Sequence, residues 1–343
     1  MSLLDRVVSA LFGDKPEKSG VADQELIDGL IEAVVEAVEP RVRLRAGYRA
    51  KLAEGARLTV AHLRELGRLP LASIVVGRAA WAADPYVRAF FGNAADVTDC
   101  IARSHDVRRF FEKHPDCSEA HALLGMKCVE RQVLAPRMEG GEVRQDVAQT
   151  TVSFSEHRLL APAADEALTR LDVGRRIVQR LAQLVLARIV AVDQRAKDLH
   201  LHQAYLVMKR RMLERGRDGM QALTSDPASI ALQIADVERA LKETTESYRE
   251  AKSSLSMLDG YIDHINAVLT QPEQQVEMKR VSMRVNLLGV KIDAPTSDEP
   301  TNQLELTDLH IGEGLRATIA LVRIPREELA PKEDLLAKAE RFL

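Results

Sequence analysis

Cysteine is scarce in this 343-residue chain, which carries only 3. So small and odd a number argues against a disulfide framework, and a reducing cytoplasm is the expected compartment. Aromatic residues make up 4% of the chain, with 1 Trp. That share is low for a β-sandwich or for a protein that stacks nucleic-acid bases, and is common in helix-rich chains. No apolar run approaches the roughly 18 residues that a membrane-spanning helix needs. Charge of one sign is lacking too. The 48 Lys and Arg nearly balance the 51 Asp and Glu, leaving a net −3, so no bulk field commits the chain to nucleic acid or to an anionic membrane.

Catalytic and nucleotide-binding signatures are equally absent. There is no GxxxxGK[ST], GxGxxG, HExxH, GxSxG or EF-hand loop, so nucleotide, zincin and serine-hydrolase readings lack their usual support. What remains is ordinary globular composition, 46% hydrophobic and 29% charged with 18 Gly and 13 Pro. A chain of this length forms about two or three domains and buries roughly 75% of its unfolded surface.

The first residues lack a basic leader and a small-residue cleavage site, so no signal peptide is expected. Instead residues 1–13 form an amphipathic helix. Leu3, Leu4, Val7, Val8, Leu11 and Phe12 share one half of the wheel, opposite Ser2, Asp5, Arg6 and Ser9. The polar Gly/Pro/Ser stretch at 14–22 reads as a linker. A tethered helix of this kind docks on a partner, on its own chain or on a membrane interface, and Leu4, Val8, Leu11 and Phe12 are the expected contacts. Deleting residues 1–13 is expected to weaken assembly or localisation while leaving thermal unfolding nearly unchanged.

Residues 23–132 read as a helical domain, with helices ending at Pro40 and near Gly67, and further helices over 73–82, 85–91, 94–111 and 118–133. The period then changes to two. Residues 133–157 form a β-hairpin about Gly140-Gly141, and alternation returns over 278–324, with a bulge expected near Leu287–Gly289. The β-sheet domain thus comprises 133–162 and 272–326 as one antiparallel sheet, and 327–343 reads as a C-terminal helix.

Between the two halves of that sheet lies the most regular part of the chain, 163–271. Val178, Ala182, Val185, Ile189, Val192, Ala196, Leu199, Gln203 and Leu206 recur in alternating steps of four and three. A second seam runs through Ile234, Val237, Leu241, Thr244, Tyr248, Ala251, Leu255, Leu258, Ile262, Ile265 and Leu269. Such 3.5-residue seams mark helices that pair as coiled coils. Gly216, Gly219 and Pro227 break the run, so the two helices fold back as an antiparallel hairpin, the second about 42 residues and about 63 Å long. Leu181, Leu184, Leu186 and Val190 exceed what a two-stranded seam needs and call for a further packing surface. The fold class is therefore α+β, predominantly helical: an N-terminal helical domain, a small antiparallel sheet, and a long coiled-coil hairpin inserted between the sheet halves.

Two clusters invite a chemical reading. All three cysteines (Cys100, Cys117, Cys128) fall within 100–128 together with His105, His114 and His121. His114, Cys117 and His121 have spacings that a zinc site uses, although no CxxC pair accompanies them. Buried cysteines among surface histidines are the leading reading of the pattern. His200 and His202, two apart on a helix, point to opposite sides and cannot chelate together. The second cluster is basic: Lys209, Arg210, Arg211, Arg215 and Arg217 at the hairpin tip. Cations are favoured at a helix C-terminus without any ligand, and a basic tip can also meet phosphate.

Together these features point to a cytoplasmic, non-enzymatic interaction or assembly protein with no cofactor. It would oligomerise or bind protein partners through the hairpin and the N-terminal helix. The alternatives are a metal-dependent enzyme or sensor at the Cys/His cluster, and a peripheral membrane protein that meets anionic lipid, or another phosphate-bearing partner, at the tip. Sequence-specific nucleic-acid binding is not expected.

Overall fold

The computed structural model describes residues 3–12, 20–71, 73–139, 142–218, 227–292 and 301–329. In chain order the elements are α1 (Leu3–Phe12), α2 (Gly20–Val38), α3 (Tyr48–Gly67), β1 (Ser73–Val75), α4 (Arg78–Ala83), α5 (Pro85–Phe90), α6 (Ala94–Arg103) and α7 (His105–Lys113). There follow β2 (Glu119–Glu139), β3 (Glu142–Ala163), α8 (Glu166–Asp218), α9 (Pro227–Ser256), α10 (Leu258–Leu269) and α11 (Pro272–Gln275). The described chain closes with β4 (Val276–Asn286), β5 (Val290–Lys291), β6 (Thr301–Ile311) and β7 (Leu315–Pro325). The fold is α+β, with long helices inserted between the strands of a seven-stranded sheet. The chain forms two compact units, each assembled from separate stretches of sequence.

The sheet unit comprises 1–22, 60–177 and 273–343. Its strand order is β1-β7-β2-β3-β5-β4-β6, and β6 also pairs with β7. The ladder therefore returns on itself through β7, β2, β3, β5, β4 and β6, with β3 and β5 paired at Thr150 and Thr151. Every pairing is antiparallel except β1 with β7, where Ser73–Val75 lies beside Leu321–Arg323. β2 and β3 form a long ribbon whose register slips at three places. At each slip β3 carries one residue more than β2, and at each it holds one residue with positive φ: Asp146, Glu156 or Ala161. These are β-bulges, which bend the ribbon and increase its twist. Phe90, Phe91, Ile101 and Phe111, from α5 to α7 and the turn between α5 and α6, join Leu124, Met126 and Val322 in the core.

Several sequence expectations are corrected here. Of residues 118–133, expected as helix, 119–133 form most of β2, so the helical stretch stops short of 132. Ala120, Ala122, Leu124 and Met126 are buried in alternation, and β2 is hydrogen-bonded to β3 on one edge and β7 on the other. Pairing on both edges overrides the helix-favouring Ala, Leu, Met, Lys and Glu of this stretch. The expected helix at 73–82 divides into β1 and α4. Near Leu287–Gly289 the chain makes a tight turn rather than a bulge: Gly289 has φ +74, and Asn286 Oδ1 accepts from the backbone N–H of Leu288 at 3.0 Å and of Val290 at 2.9 Å. Of the expected C-terminal helix, Arg326–Glu328 forms a 3-10 turn, and residues 330–343 lie outside the described residues.

The helical unit comprises 23–59 and 178–272. Leu30, Ile31, Val34 and Val35 of α2, Leu52 and Ala56 of α3, Leu181 and Val185 of α8, and Ile262 and Ile265 of α10 are buried. Gly55 permits close approach to α10, since a Cβ there would stand 2.8 Å from Asn266 Oδ1. The Thr59 hydroxyl donates to the Leu269 carbonyl at 2.8 Å. Distally the two arms pair antiparallel. Gln203 Nε2 donates to Thr245 Oγ1 at 3.0 Å, and three residues earlier on α8 the His200 ring lies 5.3 Å from Tyr248. Every residue of both expected seams is buried or half-buried. The second arm is not the single rod of about 42 residues that its seam implies. It breaks at Met257, whose backbone is extended at φ −117, ψ 146. Gly260 is required at that break, because a Cβ there would meet the Ser254 carbonyl oxygen at 1.8 Å.

Candidate functional site

The Cys/His cluster does not converge. Cys100 lies on α6 and Cys128 on β2, and burial pushes each thiol up to about 11. Both are neutral near pH 7, whereas the thiolate is the metal ligand and nucleophile. His114 ends α7 with its ring 4.7 Å from Phe110. Cys117 sits in the turn after α7, and its carbonyl accepts from Arg326 Nε at 2.8 Å. His121 belongs to β2, 3.4 Å from the Glu119 carboxylate. Among the described residues no three His, Cys, Asp or Glu side chains stand close enough to share an ion. The placing of His121 and Cys128 on a helix is corrected with the rest of β2.

One cleft in the sheet unit, about 640 Å³, opens between α6 and β3 and is lined by Asp96, Cys100, Ser104, Glu156 and His157 among others. His157, which no sequence pattern singles out, is the best-held group in it. Its Nε2 lies 2.7 Å from the Phe90 carbonyl. A carbonyl only accepts, so that nitrogen carries the proton. The ring stacks on Phe91 at 4.4 Å. Burial holds the imidazole below its ordinary pKa of 6.5, against the opposing effects of the Phe90 hydrogen bond and Asp96. The cleft mixes acidic and basic side chains.

The N-terminal helix meets its own chain. Val7, Val8, Leu11 and Phe12 are buried; Leu4's side chain lies outside the described residues. Phe12 rests where glycines leave room: a Cβ on Gly174 would come within 2.3 Å of its ring, and one on Gly67 within 3.1 Å. On the polar side Asp5 accepts from Arg175 at 2.7 Å. The face offered by Val8, Leu11 and Phe12 is thus occupied within the sheet unit and is not an open contact for a partner. Of the three expected docking modes, this is contact with the chain's own body.

The hairpin presents the opposite case. Opposite the buried seam of α8, Leu201, Tyr205, Met208 and Met212 are exposed by 68%, 52%, 57% and 68%. Their steps of four, three and four put them on one stripe. Sequence reading missed it because the inner seam of the same helix dominates the pattern; the signal is a second set of apolar residues out of phase with the first. Of the surplus residues nearer the base, Leu181 is buried while Leu186 and Val190 are exposed. Lys209, Arg211 and Arg215 are exposed around the stripe and form no ion pair among the described residues. Arg210 is half-buried, 3.4 Å from Glu214. Arg217's side chain and the tip at 219–226 lie outside the described residues. None of the described helices is long and apolar enough to cross a membrane. Comparison of the chain with family models, with curated proteins and with solved structures finds no match.

Proposed function

We propose that this is a non-enzymatic interaction protein whose helical hairpin is the binding arm. A single observation carries the reading: one helix has an inner seam that is buried or half-buried, Gln203 its one polar member, and leaves a second apolar stripe, Leu201 to Met212, in contact with water on its outer face. Scattered exposed apolar residues are ordinary, but four in helical register are a patch that association would cover. The unengaged cations beside it supply steering and orientation. The amphipathic N-terminal helix has no part in this binding, because its apolar face is already filled.

The test is sedimentation of the full chain in native cell extract, comparing wild type with Tyr205→Glu/Met208→Glu. The wild type should sediment with larger particles and the variant as a lighter species. Both positions are exposed, so thermal unfolding should agree within a few degrees. A wild type that already sediments as a free single chain, or a variant that sediments like the wild type, removes the arm from the account.

A further inference from the structure

We propose that the outer face of the arm docks on an anionic lipid surface. This rests on the arm being the binding element and identifies what the arm binds. The stripe is short. Leu201 and Met212 are 11 residues apart, about 17 Å along the axis, and the positions that would continue it in either direction are Asp198 and Arg215. A coiled-coil partner in heptad register is marked by apolar positions sustained over three to four heptads, and here charge closes the stripe after four residues. A second copy of the chain is disfavoured in turn. Laying one stripe parallel on another would bring Lys209, Arg211 and Arg215 of both copies together, with Glu214 already engaged by Arg210 and Asp198 by Gln194, and an antiparallel pair would stack only the same four apolar residues a side.

A lipid interface asks for less length and rewards what is present. Leu and Met side chains dip among the acyl chains, and Tyr sits well at headgroup level. Lys and Arg lay their aliphatic stems along the apolar stripe and carry their charges out to headgroup phosphates. Lys209 lies on one flank of the stripe and Arg211 on the other by helical position, with Arg215 at its end, so all three can reach the same plane. Their charge selects an anionic surface over a neutral one.

The full chain is tested by flotation with phosphatidylcholine vesicles, with and without phosphatidylglycerol. Binding to the phosphatidylglycerol vesicles should exceed binding to phosphatidylcholine alone by at least about tenfold and fall as salt rises. Met208→Glu and, separately, Lys209→Glu/Arg215→Glu should each lower it by about tenfold or more, with circular dichroism unchanged. Leu168→Glu, exposed but in the sheet unit, should bind as the wild type does. Absence of flotation at low salt, or equal flotation of wild type and arm variants, overturns the lipid assignment. If flotation fails while Tyr205→Glu/Met208→Glu still shifts sedimentation in extract, the arm reading survives and its target is a macromolecule. If both experiments show no change, both readings fall.

Discussion

A histidine wedged between a backbone carbonyl and an aromatic face has little to gain from a second proton. His157 is in that position, bonded to the Phe90 carbonyl and stacked on Phe91. Its folded-state pKa lies below 6.5 because burial disfavours the cation. On acidification the unfolded chain therefore takes up the proton first. The stability that comes from keeping this ring neutral is complete above pH 6.5 and is lost as pH falls from there through the folded-state value. Ring-proton NMR should place His157 below the exposed histidines. Denaturant midpoints taken from about pH 7.5 to about pH 5 should fall, and less steeply in His157→Gln. A residual slope is expected from His264, which burial and then Arg188 push in the same direction. An upward-shifted His157, or identical slopes in variant and wild type, would contradict this account. None of it was legible in the sequence. The groups that bury His157 come from a turn 67 residues away, and no local spacing records that meeting. Cys100 and Cys128 are a contrasting case, since half-buried, neutral thiols are close to the buried-cysteine reading that composition already allowed.

Amphipathic pattern locates a helix's apolar face but is silent on what covers it. The N-terminal helix illustrates both halves of that statement: Val7, Val8, Leu11 and Phe12 of its greasy side are buried, and the covering surface is the chain's own. Phe12→Ala should therefore lower stability by about 3 kcal/mol, as truncation of a buried aromatic does. The loss is read in urea by the fluorescence of Trp81, the only tryptophan, whose indole donates to the Phe91 carbonyl at 2.9 Å. An unchanged midpoint would mean that the helix is merely resting on the unit. Elsewhere, pattern served elements unevenly. Both seams of the hairpin were legible because a 3.5-residue repeat sustained over many turns keeps one stripe facing a neighbouring helix and suits little else. The break at Met257 was not, because Leu255 and Leu258 keep the step of three across it and only the crowding at Gly260 betrays it. β2 was misread because its residue types favour helix, and its two neighbours, β3 and β7, become known only when the sheet closes.

At the scale of the molecule, the placing of the long helices between the sheet's strands was legible, since a change of period from two to 3.5 and back marks an insertion. Closure of the sheet was not, because it depends on β7 accepting three neighbours: β2 along one edge, and β6 followed by β1 along the other. A chain ending at Gly314 lacks that strand. It should accumulate as aggregate or show Trp81 emission at the unfolded wavelength, and a soluble, cooperatively melting product would show that the remaining strands suffice. The same strand governs the timing of synthesis. β2 leaves the ribosome almost 200 residues before β7, which at common elongation rates is roughly 10 to 40 s. Throughout that interval the nascent polypeptide carries a long ribbon with one side unsatisfied. Its yield in a host should therefore depend on holdase chaperones and on translation speed more steeply than its final stability would suggest.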